Sequence, residues 1–285
     1  MVSIASCQYR VEKPSTLADW ANKQAQLVAK ADGDLLLFPE YASLEMLAWQ
    51  PGRIAKSLSR CLNAMQQQRG LFVETYRALS GGFNKGIIAP SFPWQLDDGR
   101  VVNRAWYLEG GEVKGYSDKQ IMTRFEHERW QISPGEPPSV LDFRGLKFAV
   151  QICYDVEFPM LSRHLIDHGA ELILVPSCTD TLAGFHRVRI GCQARALENQ
   201  TLVVQSPIVG EAPYAPAIFK NQGKAGFFTA PDYGLPDNGI LAESQELIPA
   251  SSQWLTQQLD ITALAKVKEE GQVLNAADWP KQFER

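Results

Sequence analysis

The sequence predicts a single α/β domain. Three observations point there. Short runs that are apolar at every position, such as Leu35-Leu36-Leu37-Phe38 and the segment ELILVP from Glu171 to Pro176, read as strands buried on both faces. Longer segments with apolar residues at helical spacing lie between them. The 285 residues show no internal repeat and no low-complexity linker. Length alone leaves one large domain or two smaller ones open. The unbroken alternation favours one domain over residues 1–285, with a C-terminal tail from about residue 252.

The elements follow in order. Over residues 15–32, Leu17, Trp20, Ala21, Leu27, Val28 and Ala31 share one helical face. The strand at 35–38 comes next and is closed by Pro39. Residues 52–79 form a helical pattern that Gly70 is able to interrupt. Lys85–Phe92 and Val101–Leu108 read as strands, joined as a hairpin through the turn Asp97-Asp98-Gly99. Leu146–Cys153, LKFAVQIC, is a further strand. Pro159 stands where a helix starts and Gly169 where it stops. The strand 171–176 leads to a helix over 184–199 and a strand over Thr201–Ser206. Residues 209–222 and 231–239 are rich in Gly, Pro and Asn and read as long loops. The tail reads as one helix and a loosely ordered end.

Composition sets the function classes. Hydrophobic residues make up 45% and charged residues 21%, with a net charge of -4. No Lys/Arg cluster offers a stripe for nucleic acid. No stretch approaches the ~20 apolar residues of a membrane span, and the first residues lack a signal-peptide pattern, so a cytoplasmic location is expected. Five cysteines without CxxC spacing argue against a disulfide framework or a structural zinc site. Cys7, Cys61 and Cys192 are expected as small core residues. His164 and His168 share a helical face with Leu161 and Leu165 and are expected to pack against the core, with no third ligand for a metal.

Three segments carry reactive residues at strand ends. LLLFPE ends in Glu40, LKFAVQIC ends in Cys153, and GYSDKQ carries Lys119 just past a strand and a turn. Sites in α/β proteins form beyond strand ends. A thiol needs a base or a cation nearby to attack as thiolate. A buried carboxylate with a raised pKa accepts a proton near neutral pH. A fixed ammonium stabilises an oxyanion, and the Tyr154 N–H, adjacent to Cys153, is the candidate second donor. Taken singly, each residue also has an ordinary reading: Glu40 as a solvated loop residue, Lys119 as a surface charge, Cys153 as core.

Together, FPE (38–40), SDKQIMTRFE (117–126) and QICYDVEFP (151–159) resemble the nitrilase superfamily of carbon–nitrogen hydrolases, in order and spacing. RALENQTLVVQS (195–206) and GKAGFFTAPDYG (223–234) extend the resemblance over nearly the whole chain. It implies a four-layer α-β-β-α sandwich and a Glu–Lys–Cys triad of Glu40, Lys119 and Cys153. It also implies a homodimer or higher homo-oligomer, with no cofactor and no metal. A supporting glutamate of that family falls on Glu126 when counted forward from Lys119. Counted back from Pro134-Gly135 it falls on Glu128, the preferred reading. Tyr154-Asp155 after the nucleophile resembles the amidase and carbamoyl-amide branches, where nitrile-hydrolysing members carry Trp-Glu. The expected substrate is a small amide or N-carbamoyl compound. Thr179, Asp180 and Phe185 are pocket candidates, against an ordinary loop with Thr179 or Asp180 as helix cap. Tyr41 and Trp130 are candidate pocket walls. The alternatives are a true nitrilase, an amide-transferring member, or an inactive binding or regulatory protein of the same fold.

Overall fold

Two sheets stack face to face between two helical layers. The computed structural model describes residues 2–284. In the first sheet, Val2–Arg10 lies parallel to Leu35–Leu37, which lies parallel to Gly86–Ile88. Val101–Glu109 continues it antiparallel, flanked by Phe92–Gln95 and Glu112–Asp118. In the second sheet, Leu141–Phe143, Leu146–Val150, Leu172–Ser177 and Leu202–Glu211 run in that order, followed by Gly226–Phe228 and Ile240–Glu243. A short parallel register, Tyr9 with Ile208 and Arg10 with Val209, joins the two sheets.

Strand alternation explains the layering. Leu35 and Leu37 point between the sheets with Ile88, Phe148 and Val150, whereas Leu36 joins Trp20, Val28, Phe72 and Tyr76 of the helices Leu17–Lys30 and Leu58–Gly82. Ala149 turns the other way, onto Leu165 of the helix Pro159–Asp167. The inter-sheet layer is apolar but pinned by polar contacts. Tyr107 meets Phe148 edge-on at 5.1 Å, and Ser6 Oγ and Ser117 Oγ donate across it to the carbonyls of Gln205 and Val150. Both of these buried serine hydroxyls thus have a partner, as burial favours. Cys7, Cys61 and Cys192 are buried as expected.

The structure corrects several boundaries. Lys85–Phe92 is not one strand. Pro90 has no N–H for the ladder, so Gly86–Ile88 and Phe92–Gln95 are separate, and the latter forms the hairpin with Val101–Glu109. The helix expected over 52–79 runs Leu58–Gly82, and Gly70 does not interrupt it. The helix expected from 184 starts at Leu182, capped by Thr181 and not by Thr179 or Asp180. The strand from Leu202 continues to Glu211, and Lys220–Asn221 pairs back on it inside the supposed loop. The largest correction is in the tail. Gln253–Leu259 is a strand paired antiparallel with Val2–Arg10 over seven residue pairs, and the helix Ile261–Glu270 follows it. His164 and His168 do not pack in the core. Both are exposed, with tilted rings 4.2 Å apart.

Candidate active site

Glu40 sits three residues past Leu35–Leu37, in a loop anchored by Ser91. The Ser91 N–H donates to the Pro39 carbonyl at 3.3 Å, and Ser91 Oγ accepts the Tyr41 N–H at 3.0 Å. Lys119 follows Glu112–Asp118 directly. Its N–H donates to the Asn103 carbonyl at 2.9 Å, and the preceding Asp118 is held by Arg104 through two hydrogen bonds of 2.7 and 2.8 Å. Gly135 packs so tightly here that a Cβ on it would lie 2.2 Å from that of Asp118, so a side chain at 135 would push this anchor apart.

Cys153 is not in the strand itself. Leu146–Val150 ends first, and Cys153 opens the short turn Cys153–Glu157 with φ of 52°. A left-handed backbone costs a non-glycine residue on the order of 1–2 kcal/mol. Strain of this kind is concentrated at functional sites, and here it sets the thiol beyond the sheet edge. The Cys153 Sγ lies 3.7 Å from the Cys178 carbonyl, past the end of the neighbouring strand Leu172–Ser177.

These three residues converge. Lys119 Nζ donates to Glu40 Oε1 at 2.8 Å and to Glu126 Oε2 at 2.7 Å. Glu40, Lys119, Glu126 and Cys153 are each 4% exposed or less. The second glutamate in contact with Lys119 is therefore Glu126. Glu128, the expected choice, faces outward and pairs with Arg124 at 2.8 Å; its side chain is 49% exposed. The reason lies in the wide helical turn Phe125–Trp130, which sends Glu126 inward and Glu128 to the surface.

The two carboxylates differ in saturation. Glu126 accepts from Lys119, from the Thr123 N–H and hydroxyl at 3.0 and 2.9 Å, and from the Tyr41 hydroxyl at 2.8 Å. Burial pushes its pKa up, but Lys119 and these donors outweigh it and hold the carboxyl below its ordinary range. Glu40 is the opposite case: burial raises it, only partly offset by Lys119, and the Glu126 charge adds to the rise. For Lys119, burial favours the neutral amine, yet Glu126 and Glu40 together keep it well above the ordinary lysine value. Burial, then the charge of Glu40, pushes the Cys153 thiol up, with Lys119 opposing. These shifts favour the charged forms of Lys119 and Glu126 and raise the proton affinity of Glu40 and of the Cys153 thiol. Pairs pushed apart in this way mark acid–base assignments.

Lys119 carries three N–H donors, and two are engaged by the glutamates. Among the described residues no side-chain acceptor takes the third. Of the pocket candidates, Tyr41 and Trp130 meet as tilted rings at 4.8 Å, and Tyr41 connects to Lys119 through Glu126. Thr179 donates to the Gln222 carbonyl at 2.7 Å and Phe185 is buried against Gly223, while Asp180 is exposed. The Tyr154 ring stands edge-on to Phe158 at 4.9 Å.

Two residues escaped sequence reasoning. Asp155, read only as half of a dipeptide signature, accepts the N–H groups of Ile121, Gln120 and Ile152 at 2.8–3.3 Å, tying the Lys119 loop to the Cys153 turn. Burial raises its pKa to about 7 despite Lys119 and these donors. Asn103, fully buried, donates Nδ2 to Glu40 Oε1 at 2.9 Å. Its one signal was a polar residue inside the apolar strand VVNRAWYLE.

The geometry distinguishes the two glutamates by experiment. Glu128→Gln is expected to leave any turnover at this site within about two-fold, because an exposed ion pair contributes little. Glu126→Gln removes a charge that holds Lys119, and is expected to cost at least about 100-fold. Steady-state rates of the two variants check this; a larger loss for Glu128→Gln would reverse the assignment.

A family model described as carbon-nitrogen hydrolase matches residues 3–227. The probable hydrolase YhcX of Bacillus subtilis is 29% identical over 282 residues, covering 97% of this chain and 53% of that protein. The chain thus spans about half the length of that relative. An (R)-stereoselective amidase of Pseudomonas is 32% identical over 194 residues, covering 59% of this chain and 70% of that protein. Among solved structures, Saccharomyces cerevisiae Nit3, a member of branch 10 of the nitrilase superfamily, superposes with a TM-score of 0.72 at 19% identity, covering 94% of this chain and 93% of that one. The four-layer sandwich is common to both, and with the family model matching most of its length, the chain belongs to the carbon-nitrogen hydrolase family.

Proposed function

We propose that the protein hydrolyses the carbon–nitrogen bond of a small linear amide or N-carbamoyl compound through a thioester on Cys153. The observation that carries this reading is the burial of the Cys153 thiol against Glu40, whose carboxyl also accepts from the Lys119 ammonium, itself shared with Glu126. Glu40 takes the thiol proton as Sγ attacks the carbonyl carbon. Lys119 Nζ and the Tyr154 N–H stabilise the tetrahedral oxyanion, where each well-aimed donor contributes about 10²–10³ in rate. The C–N bond breaks, and the proton held by Glu40 passes to the departing nitrogen, releasing ammonia or an amine. Glu40 then takes a proton from water. The hydroxide attacks the thioester carbon, and Cys153 leaves and recovers the proton. General base work of this kind contributes about 10²–10⁴. The carboxylate and the thiol thus return to their starting states.

The amide reading is supported by Tyr154-Asp155 after the nucleophile and by the similarity to an amidase. A panel of amides, carbamoyl compounds and nitriles, assayed for ammonia with wild type and Cys153→Ala, tests it. Release from at least one amide or carbamoyl compound by wild type alone is expected. Release from nitriles with none from any amide would overturn the assignment.

A further inference from the structure

From the hydrogen bonds around Glu40 we infer that Asn103 is a positioning residue that leaves one oxygen of Glu40, Oε2, as the proton acceptor for Cys153. The inference rests on the reading of Glu40 as base, and extends it to a residue that touches neither nucleophile nor substrate.

Glu40 Oε1 receives two donors, Lys119 Nζ at 2.8 Å and Asn103 Nδ2 at 2.9 Å. Among the described residues no amide or ammonium donor reaches Oε2, and the Cys153 thiol hydrogen-bonds to this carboxyl. A carboxylate whose one oxygen is doubly held cannot rotate to present it, so proton transfer runs through the other. Asn103 also reaches Glu126 Oε1 at 3.5 Å, so its amide bridges the two carboxylates that flank Lys119. Its backbone carbonyl holds the Lys119 N–H at 2.9 Å. One residue therefore sets the orientation of the base through its side chain and the path of the lysine through its main chain.

The amide orientation follows from the surroundings. Turned over, Oδ1 would face two anionic oxygens with nothing to donate. As placed, Oδ1 is buried without a partner. Buried polar atoms are rarely left so, and here the orphan is what remains when the amide is spent on its N–H side. Leucine of similar size would fill the space and give no donor; aspartate would add a third negative charge.

The consequence is a pH effect that a merely structural asparagine would not produce. A donor to the ionised carboxylate favours that form. Without it, Glu40 ionises at higher pH and is less well aimed. The other titratable groups around Glu40 are Lys119, Glu126, Cys153, Tyr41 and Cys178. Asp155 faces Lys119 and is pushed up to about 7 by burial, so its contribution has to be separated.

The test is alkylation of Cys153 by iodoacetamide as a function of pH, with the modified residue located by peptide mass spectrometry. It needs no known substrate. Wild type, Asn103→Leu, Asn103→Ala and Glu40→Gln are compared, each checked by circular dichroism. The Asn103 variants are expected to move the rising limb of the rate to higher pH by about one unit. Their plateau rate should fall about ten-fold. The limb should vanish in Glu40→Gln, which assigns it to Glu40 and not to Asp155. With an amide substrate, kcat should fall while KM stays within about two-fold. A limb within about 0.2 unit of wild type in a folded Asn103 variant, or one that persists in Glu40→Gln, overturns the inference. Failure of every amide to react would overturn the proposed hydrolysis and leave the alkylation result standing by itself.

Discussion

Replacing Cys153 with alanine is expected to lower amide hydrolysis by at least about 10⁴-fold, the scale of losing a covalent nucleophile. The midpoint of thermal unfolding should stay within about 3 °C of wild type. The two expectations have separate causes. Cys178, the other thiol near Glu40, is turned to Asn221 Oδ1 at 3.3 Å and so does not replace Cys153 in the proposed acyl transfer. The fold survives because one sulfur atom is a small loss of volume, and the left-handed backbone at residue 153 is no harder for alanine than for cysteine. Cys153→Ser should be nearly as inactive, since burial and Glu40 already push up the far more acidic thiol. Ammonia release together with a thermal melt checks both parts. A folded alanine variant with near-normal turnover would remove the nucleophile from the account.

Lys119→Met is the second large effect, and unlike the first it should appear in stability as well. The ammonium lies between two buried carboxylates at 2.8 and 2.7 Å. Removing one partner from a buried ion pair leaves uncompensated charge and costs about 3–5 kcal/mol, or roughly 6–15 °C in a chain of this size. With the proposed oxyanion donor lost, activity should fall by at least about 10³-fold. The stability loss should depend on pH in a set direction. In wild type the folded pKa of Glu126 is lowered, so its contribution is present above the ordinary glutamate value and is lost as pH falls. Without Lys119, burial acts on both carboxyls unopposed by that cation, and their folded pKa values rise. The variant then favours protonated carboxyls and loses stability as pH increases. Urea unfolding at about pH 5 and about pH 7.5 should show the smaller gap between variant and wild type at the lower pH. A gap independent of pH would argue against the buried charge as its cause.

What could be read in advance follows from how local each feature is. Leu35–Leu37 was legible because burial on both faces writes itself as an unbroken apolar run. The start of Pro159–Asp167 was legible because proline fits the first turn of a helix. Glu40, Lys119 and Cys153 each stood past a strand end, a position that says where a site can form and not which side chains meet. Gln253–Leu259 was missed because its evidence is a partner some 250 residues away, and its own residues are mostly polar and half-buried. The choice between Glu126 and Glu128 turned on the handing of a single wide turn, where two residues of chain reverse inside and outside. Asn103 shows the same limit from another angle. An isolated asparagine in a strand is unremarked until the carboxylates it serves arrive from two other segments.

The measurement closest to the central claim is interception of the acyl-enzyme. An amide that wild type hydrolyses is turned over with increasing hydroxylamine, and acid and hydroxamate are quantified together. A Cys153 thioester should partition to the stronger nucleophile, so hydroxamate rises as acid falls and Cys153→Ala yields neither. Acid as the sole product at every hydroxylamine concentration, with ammonia released at the normal rate, would contradict a thioester on Cys153.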